Sequence, residues 1–227
     1  MTLTLTDHTQ TVSTTPLSLL NGSSTIATST TKAAVQVVAD LSALTGSDLF
    51  RISLLEKVTA AGSQRTIESW FVQGTQQPPL WTSPTFLLGH GWDWSITRIS
   101  GSDRSISTSV RAVSGATFTF TDGSETVGTT EHGMPNDSTT LTDQTAEGVY
   151  HLFVDGGNIA AGDRFKVEVY EKAVSGGTRR QLITPVSLVT GEHLALPGVI
   201  LKHGWQMTVQ KMAGTDRVID WSIRKAA

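Results

Sequence analysis

The residues whose types and spacing come nearest to chemistry are two copies of one tripeptide, His90-Gly91-Trp92 and His203-Gly204-Trp205. A histidine near its natural pKa can act as a general base, a proton shuttle or a metal ligand. Nucleophilic catalysis, however, needs a hydroxyl or thiol partner and a third group that orients the ring. Ser and Thr are so frequent here that no one of them is marked out, and there is no Cys. The six histidines are scattered, with no His-x-x-x-His spacing for a metal, and thiolate ligation is excluded. Asp122, Asn136 and Asp137 lie in one region but lack the closely alternating acidic pattern of a calcium loop. The sequence therefore names no catalytic residue, no cofactor and no metal ligand, and the expectation is of a protein that is not an enzyme. A structural reading suits the tripeptide better: the glycine permits an unusual backbone angle where a strand begins, and the indole fills an interior.

What must position the tripeptide is legible because it occurs twice. The chain aligns with itself at a shift of 115 residues, so that Thr2–Asp7 (TLTLTD) meets Thr117–Asp122 (TFTFTD) and Asp48–Lys57 (DLFRISLLEK) meets Asp163–Lys172 (DRFKVEVYEK). Beyond the loop that holds Pro78 and Pro79 the shift becomes 113. It then pairs Leu88–Ile96 with Leu201–Val209, and Gly101–Arg111 with Gly214–Arg224. Similarity in order with one small gap is the signature of a duplication, with a first repeat at 1–114 and a second at 115–227. Each is of ordinary domain size.

Within a repeat the period is that of strands. Phe165, Val167 and Val169 alternate with Lys166, Glu168 and Tyr170, and Phe50, Ile52 and Leu54 hold the matching positions. Trp205, Met207 and Val209, then the turn Gly214-Thr215-Asp216, then Ile219, Trp221 and Ile223 read as a hairpin; Trp92, Trp94 and Ile96 open its counterpart. Glu56 with Arg65, and Glu171 with Arg180, fall at cross-strand positions. Asp103-Arg104 and Asp216-Arg217 fall in hairpin turns, where an Asp can cap its own backbone. Six to eight short strands per repeat, and no sustained 3.6-residue period, give an all-β chain of two tandem homologous antiparallel β-sandwich or jelly-roll-like domains. Trp92, Trp205, Phe50 and Phe165 are expected in the repeat cores.

Apolar residues make up 38% of the chain and the net charge is −3 with both signs dispersed. That pattern offers no footprint for nucleic acid, and no apolar run is long enough for a membrane span or export signal, so a soluble protein is expected. Trp70, Trp81 and Trp94 lack aromatic counterparts in the second repeat and are the candidate interface anchors. The Ser/Thr-rich stretch Thr9–Lys32 reads as a long polar surface loop. Either this loop or Thr2–Asp7 is expected to supply an arm that reaches a neighbouring subunit.

The run Asp40-Leu-Ser-Ala-Leu, a Gly-x-Asp, Glu56-Lys57, a glycine loop, Arg65 and a closing Gly-x-Asp-Arg hairpin ending in Trp221-Ser-Ile-Arg224 resembles small β-rich virion proteins of tailed bacteriophages. The resemblance covers most of each repeat; the fused second copy departs from it. It implies a head decoration or cement protein on the capsid exterior, made in the host cytoplasm. Its implied partners are the major capsid protein and neighbouring copies of itself, three of which would present a ring of six domains. A carbohydrate- or receptor-binding module of a tail fibre, with Trp81 and Trp94 as stacking surfaces, is the alternative from another class.

Overall fold

The computed structural model describes residues 2–115, 117–172, 174 and 176–226, and the chain divides into two compact units, Met1–Ala116 and Thr117–Ala227. The first unit runs β1 (Thr2–Val12), β2 (Leu17–Ser18), β3 (Ala33–Asp40), β4 (Leu49–Glu56), β5 (Arg65–Gln73), β6 (Leu80–Thr82), β7 (Phe86–Leu88), β8 (Asp93–Ser100) and β9 (Arg104–Ser114). The second runs β10 (Phe118–Val127), β11 (His132–Gly133), β12 (Gly148–Asp155), β13 (Arg164–Lys172), β14 (Arg179–Gln181), β15 (Val186–Leu188), β16 (His193–Leu201), β17 (Gln206–Ala213) and β18 (Arg217–Ala226), with one turn of 3-10 helix at Met134–Asn136.

The protein is all-β, and every strand pairing among the described residues is antiparallel. In the first unit one sheet has the order β1-β9-β3-β6, with β7 also on β3, and the other has β2-β8-β4-β5. In the second unit the orders are β10-β18-β12-β16 and β11-β17-β13-β14, with β15 also on β13. Counting β6 and β7 as one broken strand, and β14 and β15 as another, the described residues form eight strands in each unit. Their order is first-eighth-third-sixth over second-seventh-fourth-fifth, the two-sheet Greek-key arrangement of a jelly roll. The periodicity that forms the strands also builds the core: Leu152, Val154 and Ile223 from one sheet meet Phe165, Val167, Val209 and Trp205 from the other. Phe50 and Phe165 are fully buried at equivalent places.

The amino-terminal expectations are corrected here. β1 is paired with β9 without a break from Thr2↔Ser114 to Val12↔Arg104, so Thr2–Asp7 is a sheet strand and no loose arm. Thr9–Val12 continues that strand. The rest of Thr9–Lys32 is tied down as well: Leu19 and Ser18 are buried, the Ala27 amide donates to Asp93, and Ser29 bridges Trp92. Polar composition misled because these residues meet their backbone needs with specific partners instead of with water.

Candidate functional site

The tripeptide is held by its backbone. At the end of β4, Glu56 Oε1 accepts the amides of Gly89 and His90 at 3.0 and 2.9 Å. At the end of β13, Glu171 Oε1 accepts those of Lys202 and His203 at 2.7 and 3.1 Å. Gly91 and Gly204 then take φ of +105° and +62°, where a side chain is strained. The next residue turns inward. Trp92 pairs with Ser29 through two backbone bonds and donates its indole N–H to Thr31 O at 2.9 Å. Trp205 pairs with Gln144 in the same way and donates to Ala146 O at 3.0 Å. Both indoles are almost fully buried, so the two tryptophans occupy equivalent surroundings. The cross-strand registers Glu56↔Arg65 and Glu171↔Arg180 exist, but the bonds that recur at these carboxylates run to the loop amides.

A second recurrent cluster joins distant parts of each unit and was missed in the sequence. Asp48 Oδ1 accepts the Ser102 amide at 3.0 Å, and its Oδ2 takes the Thr45 amide and Arg104 Nε, both at 2.8 Å. Asp163 does the same with Thr215, Ala160 and Arg217. These donors hold both carboxyls below the usual range, the Ser102 and Thr215 amides foremost. The hairpin turns are thus capped from outside, while Asp103 and Asp216 pair with Arg98 and Lys211. The signal was available, since Asp48 and Arg104 recur together as Asp163 and Arg217, yet only three-dimensional pairing ties the two halves of that signal.

The candidate interface residues form one aromatic seam. Trp70 stacks on Trp94, with centroids 5.4 Å apart and planes at 19°, and packs at a tilt on Trp81 and Phe86. Trp94 is completely buried and cannot anchor a partner, which corrects the expectation for that residue. It lies on the inner face because Trp94 pairs with Leu54 across β8 and β4, two positions from Ile52↔Ile96. Trp70 and Trp81 are half-buried. The exposed apolar groups next to them in sequence are Phe71 and Leu80, 64% and 57% accessible. In the second unit Val186, Leu194 and Met207 hold the registers of these tryptophans, so the seam is aliphatic there.

A pocket recurs beside the first strand of each unit. In the first it measures about 220 Å3 and is lined by Thr4 and Thr6 of β1, Leu20, Trp92, Val110 and Ala112. In the second it measures about 280 Å3, with Thr119, Thr121, Pro135, Trp205, Ile223 and Lys225 at the matching positions. Elsewhere, burial first and the Arg224 charge second hold His151 down at about 4, so its imidazole is neutral. Among the described residues no group of three or more His, Cys, Asp or Glu could hold a metal ion, and no helix is long and apolar enough to cross a membrane.

No known family model matches the chain, and neither does any curated protein. Among solved structures, it is similar to the PBSX exported protein XepA, at 10% identity and TM-score 0.36 over 100% of this chain and 86% of the other. It is also similar to the CBM22-1-CBM22-2 tandem of Paenibacillus barcinonensis Xyn10C, at 8% identity and TM-score 0.26 over 97% and 86%. A peptide-N(4)-(N-acetyl-β-D-glucosaminyl) asparagine amidase matches at 9% and 0.35 over 100% and 96%. Likenesses this distant identify neither a partner nor an activity.

Proposed function

We propose that this chain is a non-enzymatic structural protein of a tailed-phage virion, a decoration or cement protein that binds the outside of the capsid shell and bridges neighbouring capsomers. The observation that best supports this reading is where the recurrent polar residues go. Glu56 and Glu171, Asp48 and Asp163, Arg104 and Arg217 bond to the framework of their own unit, while Leu3, Leu5, Phe71 and Leu80 remain exposed. Such a chain is built to present rigid surfaces. Two tethered units give two footholds at high effective concentration, and a trimer of chains would offer six. The major capsid protein and further copies of the chain are the partners this role requires. A glycan platform made of Trp81 and Trp94 gains no support, because Trp94 is buried.

The test is co-sedimentation of purified protein with empty phage capsids, with light scattering to give the mass of the free protein. The expected outcome is saturable capture at a fixed ratio to the major capsid protein. Protein that stays in the supernatant at micromolar concentration would end the proposal.

A further inference from the structure

Every open sheet offers an edge to other strands, and proteins blunt such edges with proline, lysine, bulges or shortness. The edges of both units obey this rule with one kind of exception. β2, β6, β11 and β14 have two or three residues each. β5 carries Arg65 and lies opposite a register shift at Leu54/Leu55. β16 contains Pro197 and lies opposite a shift between Tyr150 and Leu152. β1 and β10 differ: they are 11 and 10 residues long, continuous in register, and free of Pro, Lys and Arg. Each lies at the end of its sheet and next to a pocket lined by its own alternate threonines. In β1, Leu3 and Leu5 are 60% and 55% exposed on the opposite face.

We propose that β1 is a docking edge for an extended strand of a second protein, which adds antiparallel to the sheet. Its main chain would bond along the edge, and aliphatic side chains opposite Thr4 and Thr6 would enter the pocket against Trp92 and Ala112. The only full charge on β1 is Asp7. It projects to the face opposite Thr4 and Thr6, so charge complementarity puts a Lys or Arg three residues before the second aliphatic side chain. The ligand class is therefore an extended segment reading basic-aliphatic-x-aliphatic. A small acid or sugar leaves the row of backbone groups unmatched. The second unit keeps the same edge and pocket but places Lys225 where Ala112 stands, which makes its pocket the poorer aliphatic site. The inference holds whether the partner strand comes from a capsid or from any other protein.

The test uses the full chain and a fluorescein-labelled peptide, acetyl-Ser-Thr-Lys-Val-Leu-Val-Thr-Ser-amide, read by polarisation and by amide hydrogen exchange. Binding should protect amides of β1. Ala112→Lys, which copies the residue the second unit already carries in a folded pocket, should weaken binding by about tenfold or more. Asp7→Lys should weaken it about two- to fivefold, less at high salt. Both variants should keep the wild-type circular dichroism spectrum. The proposal is overturned by no binding at about 1 mM peptide, by protection that maps to another strand, or by equal affinity for folded Ala112→Lys. Protection of β1 in the protein alone that fades on dilution would also overturn it, since a second copy would then be the occupant.

Discussion

Glu56 and Glu171 each gather two loop amides, and Asp48 and Asp163 each gather two amides and a guanidinium, so four carboxylates staple loops that no strand ladder reaches. Removing such an acceptor leaves buried donors unmet. Glu56→Ala should cost about 1.5–3 kcal/mol, read by denaturant unfolding. Gly101 takes φ +88°, and a Cβ there would lie 2.2 Å from Asp48 Oδ1. Gly101→Ala should therefore cost about 1–3 kcal/mol from backbone strain alone, with further loss as Asp48 is displaced. The pH dependence follows from signs. Asp48 and Asp163 have depressed folded pKa values, so their stabilisation is complete above the ordinary value of about 3.9 and is lost as pH falls through the lower folded one. Asp93 runs the other way: burial raises it, and its charge is relieved as pH falls. Unfolding curves from pH 6 to pH 2 should show acid destabilisation that Asp48→Asn and Asp163→Asn reduce. An unchanged acid slope in the double variant would refute that role.

The two units follow one plan, and they part where single residues decide whether a strand continues. β5 runs unbroken from Arg65 to Gln73, whereas in the second unit Pro185, one residue before the register that matches Trp70, lies in the break between β14 and β15, because proline has no amide for the ladder. The Trp70–Trp94 stack in one seam gives way to Val186 and Met207 in the other. Trp94→Ala should cost about 3–5 kcal/mol. Trp94→Met, which borrows the second unit's residue, should cost clearly less, and equal losses by chemical denaturation would refute this account of the seam. Strand identity was readable from the alternation at Phe165, Val167 and Val169. The burial of Trp94 was not, because its lack of an aromatic counterpart says that the copies diverged there and is silent on which face the residue occupies.

The amino-terminal segment shows what tertiary structure adds to composition at the scale of the chain. Residues 1–32 include β1, β2 and the carbonyl of Thr31 that receives the Trp92 indole. Their deletion should abolish cooperative unfolding of the first unit while leaving the second folded, as amide exchange would report. A truncated chain whose first unit keeps native protection would contradict the pairing described here. Some properties were fixed by sequence alone, because they depend on residue order: the duplication, the all-β class, the strand alternation and the interior places of Trp92, Trp205, Phe50 and Phe165. Others depended on which strands became neighbours. Long-range pairing alone put Asp48 beside Arg104, turned Glu56 onto the loop amides, sealed Trp94 inside and left β1 at an open edge beside a pocket. A linear pattern carries a residue's period, but its partners across a Greek key are set by contacts between strands far apart in the chain.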